Sequence, residues 1–302
     1  MKPIINPVPI LAMILLMLGH SVSELSAENA DTQSKASERT GELLRVLGED
    51  ADLENRYAAL KALEGTDDKR MIPVLKSILD EENSVWILCQ AVKVLARMKD
   101  QRRINLLLEV VQQNRAADSS KLAVDALAGI KDKRVIPTLA EALIKARVIP
   151  DTIVAPEAAY RETLINALGR LGGEQALTAL IKGLRRETVA RNRLLILKTL
   201  GEIGDKRALP VIVSLLDNKT IEVEFIAPTP SGTPERPLRR GFPYNTRVGE
   251  CALWAACTIR DGKPPFPIER LVGTFREKDE EFKKWELEER RKFSSSPTTG
   301  IQ

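Results

Sequence analysis

Histidine is almost missing from this sequence: 302 residues contain one, His20, inside an apolar N-terminal segment. The rest of the chain therefore has no residue on which to build Ser-His-Asp or Cys-His nucleophile machinery or an imidazole metal site. There is no Gly-rich phosphate loop; Gly172-Gly173 stands between two helical patterns and reads as a helix terminator. Carboxylate pairs such as Glu81-Glu82 and Glu280-Glu281 fall on polar stretches, where solvated surface is the simpler reading. Aromatics make up 4% of residues, so Leu and Ala must carry the core, which suits helix-on-helix packing. Neither charge sign dominates: 46 basic residues face 42 acidic ones, a net of +4, against the basic stripe of a dedicated nucleic-acid binder. Long hydrophobic runs are also scarce. The one of note, Ile10 to Leu18, is too short to cross a ~30 Å hydrocarbon core comfortably.

That run has a context of its own. Lys2 precedes it and Ser26-Ala27 offers small residues for cleavage, so residues 1–27 are expected to be an export signal peptide, the rival reading being an uncleaved N-terminal anchor. The net charge stays at +4 when Lys2 and Glu24 leave with it. A periplasmic or secreted protein is the expectation, with membrane contact only through this segment if it is retained. Residues 28–39 show no apolar periodicity and read as a flexible linker.

From residue 40 to 293 the sequence repeats itself. Gly204-Asp205-Lys206-Arg207-Ala208-Leu209-Pro210 recurs as Lys131-Asp132-Lys133-Arg134-Val135-Ile136-Pro137 and as Asp67-Asp68-Lys69-Arg70-Met71-Ile72-Pro73. Weaker copies begin at Asp100 and Gly173. The anchor position falls at 73, 105, 137, 178 and 210, in steps of 32, 32, 41 and 32 residues. A fixed step of this size marks a repeat array. In the third copy Leu122, Ala123, Ala126, Leu127 and Ile130 make one helical stripe, and Ile136, Leu139, Ala142 and Leu143 a second. Asp132 is placed to cap the second helix, and Pro137 must lie in or near its first turn because it has no N–H to give. Each unit is thus helix, tight turn, helix, and neither helix can hide its apolar face alone. Equivalent turns in a stack lie side by side. Arg70, Arg102, Arg134 and Arg207 then either bond an adjacent Asp or helix-end carbonyl, or sit as solvated turn residues worth ~0–1 kcal/mol.

These residues resemble HEAT repeats, most closely the short type related to phycobilisome lyases. Asn55-Arg56-Tyr57-Ala58-Ala59-Leu60-Lys61-Ala62-Leu63 followed by Asp68 to Leu75, and Thr199-Leu200-Gly201-Glu202-Ile203-Gly204-Asp205, carry the likeness. The resemblance implies an all-α fold, an α-solenoid of about six HEAT-like helix pairs. A superhelix of this kind serves scaffolds, adaptors and a few enzymes, so it does not decide the activity.

Two insertions interrupt the array. Residues 147–156 lengthen the third step by nine, with Pro150 and Pro156 at either side. Residues 219–247 hold Pro228, Pro230, Pro234, Pro237 and Pro243, with a short alternating stretch, Ile221 to Phe225, that reads as a strand. Here Arg236, Arg239, Arg240, Phe242 and Tyr244 form either a contact surface for an acidic or aromatic partner or a solvated loop. A charged terminal unit follows, as a solenoid end requires, and residues 294–302 read as a disordered tail. The three cysteines are expected as small buried apolar residues. Cys251 and Cys257, six apart on one helix and ~9 Å along its axis, face different ways, and Cys89 lies repeats away from both.

By the resemblance, the second helix of each unit lines the concave face. Counting from the anchor, the outward positions are Val74, Leu106, Thr138, Ala179 and Val211, then Ser77, Glu109, Glu141, Lys182 and Ser214. The helix ends shift from Asp80-Glu81 to Arg185-Arg186. The expected function is a non-catalytic scaffold or adaptor that binds another protein or peptide, with no cofactor and no nucleic acid. The alternatives are a lyase-like enzyme related to bilin lyases, on resemblance alone, and a structural envelope component.

Overall fold

The computed structural model describes residues 22–49, 52–148, 156–218, 247–267 and 280–295. The chain divides into two compact units, residues 1–100 and 101–302. Unit 1 holds α1 (Val22–Glu49), α2 (Leu53–Ala62), α3 (Met71–Glu81) and α4 (Val85–Arg97). Unit 2 holds α5 (Arg102–Gln113), α6 (Ala117–Ile130), α7 (Ile136–Lys145), α8 (Pro156–Leu171), α9 (Gly173–Arg186), α10 (Ala190–Ile203), α11 (Leu209–Val213), α12 (Val248–Asp261) and α13 (Glu280–Ser295). Both units are all-α among the described residues, with short 3-10 turns at Lys133–Val135 and Lys206–Ala208. No described helix is long and apolar enough to cross a membrane.

Unit 2 shows the solenoid arrangement directly. First helices pack on first helices (α6 on α8, α8 on α10, α10 on α12), and second helices on second helices (α5 on α7, α7 on α9, α9 on α11). Between the layers α8 packs on α9, and each second helix packs on the first helix that follows it, α5 on α6, α7 on α8, α9 on α10 and α11 on α12. In unit 1, α2 packs on α4 and α1 on α3 in the same two layers. The core between layers is aliphatic: Leu60, Leu75, Leu95, Leu127, Leu139, Leu164 and Leu200 are all fully buried. Burying each such side chain is worth about 1.5–3 kcal/mol, which is why the repeat preserves these positions before any others.

The turn chemistry is local first and inter-repeat second. Asp132 Oδ1 accepts the Arg134 N–H at 2.9 Å, and Asp68 and Asp205 do the same for Arg70 and Arg207. In the 132 and 205 turns the cap serves a 3-10 turn that leads into the α-helix, so Pro137 and Pro210 occupy the first α-helical turn, where no N–H is needed. Each arginine then folds its guanidinium onto its own aspartate, at 2.6 Å for Arg134 Nη2 to Asp132 Oδ2. A cross-repeat rung appears at three turns: Arg207 Nη1 donates to Glu174 Oε1 at 2.9 Å, Arg70 Nη2 to Ser37 O at 3.0 Å, and the Lys99 N–H to Asp67 Oδ1 at 2.9 Å.

Four expectations change. Residues 28–39 are not a flexible linker but part of α1, which runs unbroken from Val22 to Glu49. A helix nucleated by the docked residues 40–49 extends outward without a second nucleation cost, and the Lys35–Asp31 pair at 2.6 Å supports the exposed turns. Residues 294 and 295 belong to α13 instead of the tail. Cys251 and Cys257 are buried as expected, whereas Cys89 is half-buried; all three are free thiols. The fourth change concerns the second-helix register, described below. The signal segment up to residue 21, most of the 147–156 insertion, the strand at 221–225 and the tail beyond 295 lie outside the described residues.

Candidate protein-binding grooves on the second-helix face

Three of the second-helix positions expected to face outward do not. Leu106, Ala179 and Val211 are 4%, 2% and 7% exposed, and Val74 and Thr138 are half-buried. The exposed positions are the anchors themselves, Pro73, Asn105, Pro137, Thr178 and Pro210, with Ser77, Glu141, Lys182 and Ser214 four residues on; Glu109 is half-buried. The reason is geometric. A second helix in the stack packs against the first helix that follows it and against neighbouring second helices. The residue after the anchor, about 100° further round, therefore meets a neighbouring helix. A stripe centred on anchor, anchor+4 and anchor+8 is left to solvent, widened at anchor+7 by Asp80, Gln112 and Arg185.

Among the described residues a groove opens along this stripe in each unit. In unit 1 a cavity of about 650 Å³ is lined by Glu49, Arg56, Pro73, Val74, Ser77, Glu81, Glu82 and flanking residues. In unit 2 a cavity of about 310 Å³ lies between the end of α5, the outer face of α7 and the start of α8, among Gln112, Asn114, Thr138, Glu141, Lys145, Arg147, Glu157 and Tyr160. Val74 and Thr138 thus reach a groove wall despite their partial burial. Lys182, Arg185 and Arg186 stand exposed on α9, next to α7 in the stack. Arg186 Nη1 donates to Ile144 O at 3.1 Å, tying the ends of these two helices together. Leu106 and Val211 belong to the core. Arg236, Arg239, Arg240, Phe242 and Tyr244 lie outside the described residues.

The grooves differ in charge. Glu49, Glu81 and Glu82 against Arg56 make the unit 1 groove acidic. Burial pushes the Glu82 carboxyl up, but the Ser84 amide, the Arg56 guanidinium and the Asn83 amide outweigh it and hold Glu82 below its ordinary value. In the unit 2 groove Lys145 pairs with Glu141 at 2.6 Å, while burial alone pushes the Tyr160 phenol up to about 12, so it stays neutral. Among the described residues, no group of three or more His, Cys, Asp or Glu side chains is placed to hold a metal ion.

Two features escaped the sequence reading. The first is an ion pair that recurs at a spacing of 26: Arg56 to Glu82 at 2.6 Å and Arg161 to Glu187 at 2.8 Å. Each glutamate also accepts from the two backbone N–H groups after it, closing the end of the second helix. The repeated Arg-x25-Glu spacing was the available signal. The second is Trp86, 77% exposed and tilted against Tyr57 with ring centroids 6.5 Å apart. Its place at the second position of a first helix, within an apolar run, gave no sign that it faced solvent.

Comparison with known proteins bears on the family and the fold class. The family model for HEAT repeats matches residues 41–121 and 151–224, and that for the PBS lyase HEAT-like repeat matches residues 122–145. No curated protein matches. Among solved structures, human deoxyhypusine hydroxylase in complex with glycerol is similar at 16% identity, over 86% of this chain and 99% of that one, with a TM-score of 0.33. The HEAT models together span more than half of the sequence and coincide with the helix pairs seen in each unit. The chain belongs to the HEAT-repeat family.

Proposed function

We propose that this chain is an exported, non-catalytic scaffold or adaptor that holds another protein through the second-helix faces of its repeats. HEAT repeats generally mediate protein–protein interaction, and one observation carries the reading for this member. The buried positions of the array repeat, whereas the register four residues after the anchor changes in chemistry along the chain: Ser77, Glu109, Glu141, Lys182 and Ser214, all but the half-buried Glu109 exposed. The two grooves on that stripe differ in charge, acidic in unit 1 and balanced between Glu141, Glu157, Lys145 and Arg147 in unit 2, which a stripe kept only for solubility does not require. Export is supported by Lys2, the Ile10–Leu18 run and Ser26-Ala27, and a binding role by the want of histidine after position 20.

The test compares affinity capture from the cell envelope fraction by the wild type and by a variant with charges reversed in the unit 1 groove (Glu49→Lys, Glu81→Lys) and on the exposed side of α9 (Lys182→Glu, Arg185→Glu). A discrete partner captured by the wild type and lost by the variant supports the reading. Equal capture by both, or a mature N-terminus that keeps residues 1–27 in a cytoplasmic fraction, overturns the corresponding part of it.

A further inference from the structure

Trp86 breaks the pattern of the repeat it belongs to. Nineteen residues before each anchor stand Glu54, Trp86, Asp118, Ala159 and Arg191. Three of these five are charged and one is small, as suits the start of a first helix, where an acidic side chain also complements the helix dipole. The second repeat has a Trp there instead, 77% exposed, and no acidic residue in the first turn of α4. The residue before it departs in the same way. Leu53 and Val85 are 50% and 39% exposed in the first two repeats, where the next three have Ala117, Ala158 and Ala190. Leaving large apolar side chains in water does nothing for the fold. Single ones are ordinary, but contiguous ones mark a contact site.

These side chains form one patch within unit 1. Leu53 and Val85 occupy equivalent places on the packed helices α2 and α4. Tyr57, one turn on from Leu53, holds its ring 6.5 Å from that of Trp86. An indole of up to ~250 Å², exposed as far as Trp86 is, offers ~190 Å² to a partner. With Leu53 and Val85 the patch comes to ~300–400 Å², less than half of the ~800 Å² that each side gives to a stable protein–protein interface. A second copy of this chain would need more surface than that; a short segment of another protein does not.

The charge around the patch sets the chemistry of that segment. The exposed Asp52 and Glu54 flank Leu53, and the exposed Glu81 lies four residues before Val85. The acidic groove of unit 1 opens at the same edge: Arg56 and Asn83, which line it, stand one and two residues from Tyr57 and Val85. The cation of this stretch, Arg56, is engaged by Glu82 at 2.6 Å. The exposed Lys61 and Lys93 lie one and two turns further along α2 and α4. Resting on the scaffold reading above, we infer that this patch anchors a basic segment of a partner protein. An Arg or Lys side chain of the segment lies over the Trp86 ring, whose electron-rich face attracts a cation, and neighbouring cations of the segment meet Glu54 and Glu81. Anionic lipid and nucleic acid also take up aromatic rings, but Asp52, Glu54 and Glu81 repel the phosphates of both.

The experiment uses the full mature chain and a fluorescein-labelled twelve-residue peptide of alternating Arg and Ser. A Glu/Ser peptide, a labelled single-stranded oligonucleotide and anionic phospholipid vesicles are titrated separately. Expected is saturable anisotropy with the Arg/Ser peptide that weakens with added salt, although the chain as a whole carries +4. Trp86→Ala and Trp86→Leu each weaken it at least tenfold, Trp86→Phe no more than threefold, and Glu54→Gln with Glu81→Gln at least fivefold. Glu202→Gln, on the exposed side of α10, leaves it unchanged. All these side chains are exposed, so each variant should keep the wild-type circular dichroism and melting curve. Failure of the Arg/Ser peptide to bind, wild-type affinity in Trp86→Ala or Trp86→Leu, or equal binding of the Glu/Ser peptide overturns the inference. So does tighter binding of vesicles or oligonucleotide that Trp86→Ala abolishes, which would give the patch to lipid or nucleic acid. Envelope capture separates this inference from the scaffold reading. If the Arg/Ser peptide fails to bind while the wild type and Trp86→Ala capture the same partner, this inference falls and the scaffold reading survives. If no partner is captured either, both fall.

Discussion

Arg161 offers the sharpest test of how the array is held together. Its side chain is 3% exposed and that of its partner, Glu187, 0%. The guanidinium satisfies three acceptors at once: Glu187 Oε2 at 2.8 Å from Nε, and Leu143 O and Ala146 O at 2.9 and 3.1 Å from Nη1. Arg161→Met keeps the apolar stem and removes all three. It leaves a buried carboxylate without a counter-charge, which costs ~3–5 kcal/mol, and two helix-end carbonyls without a donor. We expect a loss of about 4 kcal/mol. The equivalent Arg56→Met removes one ion pair whose side chains are 19% and 9% exposed. Water takes up part of that loss, and about 1–2 kcal/mol is expected. With a urea m-value near 2 kcal/mol/M the first variant lowers the midpoint by ~2 M and the second by under ~1 M.

The assay is urea unfolding followed by circular dichroism at 222 nm. A double variant gives the physical check. Arg161→Met with Glu187→Gln removes both charges, while the Gln carbonyl still accepts from the Thr188 and Val189 N–H groups. It should therefore be more stable than Arg161→Met alone, by ~2 kcal/mol. If the double variant costs the sum of the two single losses, or if Arg161→Met is no worse than Arg56→Met, burial is not what sets the strength of these pairs and the reasoning fails.

Three further outcomes follow from the repeat geometry. Lys131 ends α6 in the left-handed region (φ 59°), where Gly204 ends α10 in the equivalent repeat (φ 74°), so Lys131→Gly should raise stability by ~0.5–1 kcal/mol in a thermal melt; no gain would contradict the cap assignment. Gly249 admits no side chain, because a Cβ there would lie 2.2 Å from the Leu216 carbonyl oxygen; Gly249→Ala should cost ~1–3 kcal/mol or detach the start of α12, and a wild-type urea midpoint would refute this packing. The Arg207 side-chain bonds and N–H hold the Asp205 carboxyl below its ordinary value, so its contribution is present above the unfolded pKa of ~3.9 and is lost as pH falls through the lowered folded value. Asp205→Asn should therefore lie below the wild type in melting temperature at pH 7 and approach it by pH 3; a gap that stays constant would show that the charge plays no part.

How much of this was legible beforehand depends on what repeats. The helix pairs, the turn boundaries and the Pro137 and Pro210 positions could be read because the burial that fixes them is the same in every unit, and a 32-residue step exposes it. The outward face was misread by one residue at Leu106 and Val211. Sequence periodicity shows that a helix has an apolar side but not that second helices also bury flanks against each other. Residues 28–39 looked loose because they have no apolar stripe. They are helical through continuity with a docked segment, a property of the neighbours and not of the residues themselves. Trp86 was invisible for the converse reason: an aromatic in an apolar run is counted as core until the packing shows otherwise.

The ion pairs fit the same logic once position is considered with spacing. Seventeen residues before each anchor stand Ser120, Arg161 and Arg193 in three successive units. Each reaches back to a carbonyl at the end of the preceding second helix: Ser120 to Val110 O at 3.3 Å, Arg161 to Leu143 and Ala146, and Arg193 Nε to Glu187 O at 2.7 Å. One position therefore closes the previous repeat's helix, with a hydroxyl or with a guanidinium. The insertion at 147–156 does not decide which: Arg193 follows a regular 32-residue step, and Arg56, seventeen residues before the first anchor, makes the same pair with Glu82 that Arg161 makes with Glu187. What sets Arg161 apart is burial, because its guanidinium meets two carbonyls and a carboxylate inside the core, whereas Arg193 is half-buried and gives one bond to Glu187 O. Arg161→Ser should therefore lower the urea midpoint more than Arg193→Ser; equal losses would show that the position, and not its burial, sets the cost.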